Sequence, residues 1–327
     1  MAGDEPEENP KPDPHVGFGP LSVCVQSAYQ SLRLGILPKT PSTLGRGEHQ
    51  FRVGATWSNI WATSSSGFDP ATGDFGDRLL DFETLDGHAS YAYGLGTRIQ
   101  LEAELEQRWR YGGALDGVIE SFHDLFGIDQ NGRDLVPRNG FRVFLDPEGG
   151  DGPVDVGAGF EGMYERNLLL TFSHNLTEGT KSYPAISYAV TARYADADAT
   201  DGAGWDGAVS VGASRRVGHF YVYLSLGYAW YSKDSFYGIE FPDAQFTVLG
   251  AGEWRFKRRM SLVLEWIWMR SPEMSSDFFP ETTNQIVIGW KWELRPAGVL
   301  ELGMLQNAVP YDASPDFGVH AAFIQRF

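Results

Sequence analysis

The 327-residue chain has a single cysteine, Cys24, so it holds no intramolecular disulfide. No stretch approaches the roughly eighteen apolar residues of a transmembrane helix. Cations are scarce: 26 Lys and Arg stand against 43 Asp and Glu, a net charge of -17 that argues against nucleic acid or an anionic surface as partner. There is no secretory signal either. Residues 1–15 are acidic and proline-rich (MAGDEPEENPKPDPH) and read as a disordered lead, so an exported protein would be seen here in mature or trimmed form.

What the chain has in quantity is aromatic residues and glycine: 14% Phe, Trp and Tyr, and 39 glycines. These lean toward a membrane barrel, in which a polar lumen and polar loops dilute the lipid-facing residues.

The stretch Arg98 to Tyr111, RIQLEAELEQRWRY, sets propensity against period. Leu, Ala, Glu, Gln and Arg are good helix formers. Yet Arg98, Gln100, Glu102, Glu104, Glu106, Arg108 and Arg110 occupy one parity, and Ile99, Leu101, Ala103, Leu105, Trp109 and Tyr111 the other. On a helix these sets would mix around the cylinder; on a strand they separate cleanly onto two faces. Period outranks propensity, and the stretch reads as a strand. Its length suits a membrane crossing, which takes about 9–11 residues of tilted strand.

The alternation recurs along the chain, most cleanly in Phe220, Val222, Leu224, Leu226, Tyr228 and Trp230. Short connections (94–97, 177–182, 216–218, 256–259, 295–298) alternate with long ones (62–78, 112–163, 196–204, 232–242, 271–280, 309–315). Short periplasmic turns and long extracellular loops mark an up-and-down outer-membrane barrel. The expected fold is all-β: one transmembrane up-and-down antiparallel barrel of about twelve strands, over residues 48–327. The weakly alternating 154–163 is assigned to the third long loop, as a hairpin extension above the membrane, because bacterial barrels close on an even number. In that loop LDGVIESFHDLFG spaces Leu115, Val118, Ile119, Phe122, Leu125 and Phe126 as an amphipathic helix. Residues 16–47 alternate poorly and read as a periplasmic segment that could plug the lumen, with Leu21, Val23, Val25, Tyr29, Leu32, Leu34, Ile36 and Leu37 available to dock.

The last strand, FGVHAAFIQRF, ends in Phe327 with Phe323 four residues before it. It resembles the C-terminal signal of Gram-negative outer-membrane β-barrels, departing from it at Gln325, where an apolar residue is commoner. The resemblance implies a place in the bacterial outer membrane, with outer-membrane lipid and the barrel-assembly machinery as partners. More narrowly, GPL…QS…L…LP…TLGRGEHQF and FHDLFGIDQNGRD resemble a family of outer-membrane proteins known by a domain of unknown function. That likeness implies location and topology, and brings no catalytic residue.

With the apolar parity of each strand toward lipid (the odd residues in Arg98 to Tyr111), the expected lumen lining is Arg98, Glu102, Glu104, Glu106, Arg108, Arg110, Glu253, Glu265, Lys291, Glu293 and Glu301, answered also by Arg52, Arg193 and Arg326. Such a stripe is either a selectivity lining or a cross-strand network that fills the barrel. The Trp and Tyr clusters near strand ends read as interfacial girdles. DADATDG at 196–202 lacks the Glu of a calcium loop at its twelfth position, which is Gly207, and reads as a solvated loop. His174 lacks a His-x-Ser partner, His88 and Ser90 point inward away from lipid, and His123 reads as a surface residue, so no enzyme, metal or cofactor is expected. The expected function is a narrow, weakly cation-preferring channel or transporter for small solutes. Its alternatives are a plugged structural or partner-binding barrel and, remotely, a lipid-modifying enzyme.

Overall fold

In β9 (Phe220–Trp230) the six even residues are 42–54% exposed, whereas Tyr221, Tyr223, Ser225, Gly227 and Ala229 are buried. The exposed set is wholly apolar, which is the inverse of a soluble sheet and the signature of a strand whose outer face meets lipid. The period-2 pattern therefore fixes which face looks inward along the whole sheet.

The computed structural model describes residues 17–27, 33–35, 39–63, 76–127, 130, 132–133, 136–146, 153–156, 162–180, 183–197, 204–233, 235–236, 239–270, 282–295, 297–307 and 315–327. The remaining strands are β1 (His49–Thr63), β2 (Arg78–Gly94), β3 (Ile99–Tyr111), β4 (Arg142–Leu145), β5 (Val154–Val156), β6 (Gly162–Glu178), β7 (Ala185–Ala197), β8 (Gly204–Val217), β10 (Ser235–Phe236), β11 (Ile239–Glu240), β12 (Ala244–Lys257), β13 (Met260–Arg270), β14 (Thr282–Arg295), β15 (Gly298–Asn307) and β16 (Phe317–Arg326), with one helix, α1 (Asp116–Phe126). Twelve of them form the wall, each antiparallel to the next: β1, β2, β3, β6, β7, β8, β9, β12, β13, β14, β15 and β16. The barrel closes where β1 meets β16, from Gln50 opposite Arg326 to Asn59 opposite Phe317. Phe327 and His49 exchange backbone hydrogen bonds at the seam, at 2.9 and 3.2 Å. Full closure leaves the wall no open edge.

The described residues of 154–163 divide between two elements, and 157–161 lie outside the described residues. Val154–Val156 is β5, which pairs with β4, and β4 pairs with Arg78–Asp81 of β2. The reason lies in strand length: β2 runs 17 residues, but β3 ends at Tyr111 opposite Glu83, so the far end of β2 has a free edge that β4 fills. Gly162 and Met163 belong to β6 rather than to the loop.

Helix α1 stops at Gly127, whose φ of 65° suits glycine. Leu115 and Ile119 are buried beneath it, whereas Val118 and Leu125 stay exposed, so only part of the apolar stripe is used. Asp116 anchors its start, accepting from Arg133 Nη1 at 2.8 Å, the Asn139 amide at 2.6 Å and Asn59 of β1 at 3.3 Å. Of the turn-rich 129–134, only Gln130, Gly132 and Arg133 are described; residues 198–202 of the acidic DADATDG lie outside the described residues.

Exposed aromatics gather near both ends of the wall. Phe220 stacks on Trp254 near the short turns, and Phe256 lies tilted against Trp254, with ring centroids 6.1 and 5.6 Å apart. Tyr194 and Trp205 pair near the long loops at 5.1 Å.

Candidate functional site in the barrel lumen

Inward parity puts charge in the lumen, and burial there requires a partner for each charge. Glu102, Glu104, Glu106, Arg108 and Arg110 of β3 are all buried. Arg52 of β1 donates to Glu102 at 2.9 Å and to Glu104 at 2.8 Å. Arg108 bridges Asp86 of β2 at 2.8 Å and Glu165 of β6 at 3.2 Å. Arg193 of β7 continues the chain, bonding Glu165 and, at 2.8 Å, Asp206 of β8. Arg110 lies over the Phe82 ring at 4.7 Å.

On the opposite wall, Glu253, Glu265, Lys291 and Glu301 are also buried, and Lys291 pairs with Glu301. Glu293 is half-buried toward the short-turn rim. Two residues expected inside sit elsewhere. Arg98 precedes β3 and is exposed, 3.4 Å from Glu178 across the rim. Arg326 is exposed at the seam, donating to Gln50 at 3.0 Å. Both stand at strand ends, where parity persists but the lumen does not.

The wall carboxylates are answered largely by the chain's own N-terminal segment, which runs inside the barrel. Phe18 and Gly19 donate their amides to Glu253 at 3.1 and 3.2 Å, and Leu21 donates to Glu265. Ser22 donates its amide and its hydroxyl to Glu301, at 2.9 and 2.8 Å. The Gln26 amide reaches Gln285 at 3.0 Å, and its side chain reaches Asp86 at 3.0 Å. Near the long loops Arg33 lies over Tyr231 at 3.5 Å, and the Leu34 amide donates to Asp206 at 3.3 Å. The chain then comes back down: Lys39 pairs with Glu102 at 2.8 Å, and Leu44 donates to Gln100 at 3.0 Å just before β1 begins.

Side chains of this segment supply the inner half of the apolar core. Leu21 and Val23 pack with Val263, Val287 and Leu305; Val25 packs with Tyr223, Leu249 and Ile267; Leu34 packs with Leu169, Ala208 and Ala229. A Cβ at Gly289 would come within 2.6 Å of Leu21 Cδ1, so the glycine there makes room for the leucine. Tyr29, Leu32, Ile36 and Leu37 lie outside the described residues.

Sequence reading passed over Asp86, Glu165 and Asp206 as members of the network, although each has inward parity. It also passed over Lys39, Ser22 and Gln26, because the segment carrying them has no period from which a face could be assigned. His88 and His320 stack inside at 6.1 Å, with Thr56 Oγ1 2.9 Å from His320 Nδ1; His174 lies against Tyr188 at 5.4 Å. Among the described residues no group of three or more potential ligands forms a metal site.

The model of a family described as protein of unknown function (DUF3187) matches residues 8–327. Among solved structures, an outer membrane channel from Pseudomonas putida F1 aligns with a TM-score of 0.54 at 14% identity, over 89% of this chain and 99% of that one. The translocator domain of autotransporter NalP from Neisseria meningitidis aligns with a TM-score of 0.44 at 10% identity, over 87% of this chain and 90% of its own. The toluene transporter TbuX from Ralstonia pickettii gives 0.42 at 10%, with the same coverage. The first likeness is one of fold, an outer-membrane channel barrel. No curated protein matches the sequence.

Proposed function

The chain belongs to the DUF3187 family of proteins of unknown function, and we propose that it is an outer-membrane channel for small solutes whose own N-terminal segment, described at residues 17–27, 33–35 and 39–47, acts as a plug. One observation carries this reading: the wall carboxylates Glu253, Glu265 and Glu301 accept from backbone amides of the N-terminal segment. An amide without secondary structure of its own needs an acceptor when buried. The lumen provides one at each step, as a receptor provides for an extended peptide. A segment held by hydrogen bonds, apolar packing and one described ion pair can leave without breaking the wall, since the ladder of twelve strands does not include it.

When the plug leaves, Glu253, Glu265 and Glu301 face water along one wall, and carboxylates lining a pore at close range favour cations. The solute is therefore small, and a cation passes more readily than an anion. Outer-membrane lipid surrounds the wall, and the C-terminal Phe323 and Phe327 serve the assembly machinery. The test is planar-bilayer conductance of the refolded chain beside a variant lacking residues 1–44. The intact chain should be closed or open only briefly, and the deleted one should carry a steady current. A deleted barrel that folds and stays silent would leave a structural, partner-binding barrel in place of a channel.

A further inference from the structure

We infer that the turns β8–β9 and β12–β13 form a binding site for the phosphate headgroup of an anionic phospholipid in the inner leaflet. The net charge of -17 speaks against an anionic partner only when spread over the whole chain. Locally the sign reverses. The sequence SRRVGHF at 214–220 and the sequence WRFKRRM at 254–260 contain six Arg and Lys and no Asp or Glu.

The fold brings these two segments side by side. β9 is hydrogen-bonded to both β8 and β12, and the Arg255 amide donates to the His219 carbonyl at 3.0 Å, joining one turn to the other. Two of the six cations brace the turns themselves. Arg216 Nε donates to the Gly218 carbonyl at 2.9 Å, and Arg255 Nη2 donates to the Arg258 carbonyl at 2.8 Å. The other four, Arg215, Lys257, Arg258 and Arg259, are exposed.

Their position selects a lipid. Arg215 shares the outer face of β8 with Val211 and Val217 and stands opposite Val222, so a cation sits on the lipid-facing surface itself. The cluster of Phe220, Trp254 and Phe256 lies immediately beside it, and exposed aromatic rings of this kind sit at headgroup level. Short turns face the periplasm in an up-and-down barrel, so the level concerned is that of the inner leaflet. Long cationic side chains there extend along apolar surface and place their heads among phosphates. Arginine matches a phosphate with two parallel hydrogen bonds, and three of the four exposed cations are arginines.

The test uses the full chain in nanodiscs of phosphatidylcholine doped with phosphatidylglycerol, with retained lipid counted by native mass spectrometry after mild detergent extraction. The wild type should retain phosphatidylglycerol over phosphatidylcholine. The variant Arg215→Gln/Lys257→Gln/Arg258→Gln/Arg259→Gln should lose the preference, by roughly fivefold in affinity for each charge removed near the surface. If that variant fails to fold, Arg258→Gln/Arg259→Gln carries the same expectation at two charges. Equal retention by wild type and variant would overturn the site. Lipid retention does not depend on the lumen, so this result and the conductance result stand or fall separately.

Discussion

Glu301 shows how a single inward carboxylate is kept in this lumen. It lies fully buried between Lys291 of the neighbouring strand and Ser22 of the N-terminal segment, with His320 Nε2 3.7 Å away. The wall supplies its charge partner and the segment supplies two hydrogen bonds, so the residue belongs to both at once. Leu21, one position earlier, is the apolar counterpart: it is fully buried against Val263, Val287 and Leu305, in space left by Gly289. Leu21→Ala removes contacts in a filled site, and such changes cost about 2–5 kcal/mol. Because Leu21 is in the segment and not in the ladder, that cost should fall on plug seating. Leu21→Ala should therefore open more often in planar-bilayer recordings, with a melting temperature close to that of the parent in detergent. A large drop in melting with no change in opening would mean that the leucine holds the wall together instead.

At the scale of the element, β3 decides between period and propensity. Its residues favour helix, yet only a strand puts Glu102, Glu104, Glu106, Arg108 and Arg110 on one side and Leu101 and Leu105, 44% and 62% exposed, on the other. The glutamates are not equivalent. Glu102 and Glu104 share Arg52, whereas Glu106 accepts from the neutral Asn167 at 3.0 Å and from the Cys24 thiol at 3.4 Å. Converting Glu102 and Glu104 together to Gln leaves Arg52 charged and buried without a counter-ion, a loss of about 3–5 kcal/mol. Glu106→Gln keeps its hydrogen-bonding partners but loses the attraction of nearby Arg108 and Arg193, which retain Asp86, Glu165 and Asp206, and should cost about 1.5–3 kcal/mol, less than the double change. Urea titration of the refolded barrel in detergent separates the two variants. Equal midpoints would show that Arg52 finds other acceptors. The N-terminal segment is the opposite kind of element, held in the lumen by what surrounds it and not by any period of its own.

The whole molecule is polarised. Acidic runs such as DPEGGDGPVD and DADATDG fall in the long loops, and SRRVGH and WRFKRR fall at the short turns. A barrel with acidic loops at one mouth and carboxylates inside gathers cations at low ionic strength. For the barrel without residues 1–44, the reversal potential across a KCl gradient should therefore have the sign for potassium preference near 0.1 M. It should fall toward zero near 1 M, as the Debye length shrinks from about 10 Å to about 3 Å. A reversal potential that favours chloride at low salt would contradict the reading of the inner wall.

Sequence alone determined the wall. A period of two, repeated twelve times between loops of alternating length, specifies both the crossing strands and the face each turns inward, because a one-residue slip would send Glu104 or Glu265 into lipid. That physics is local, and so it can be read from order along the chain. It did not mark where the lumen ends, which is why Arg98 and Arg326 have inward parity but lie at the rim. Nor did it show what fills the lumen. Residues 17–27 have no period, and their partners lie 235 positions away at Phe18 and Glu253, and 279 at Ser22 and Glu301. Only closure of the barrel brings those carboxylates around one axis, and only then does an irregular segment with free amides become the group that satisfies them.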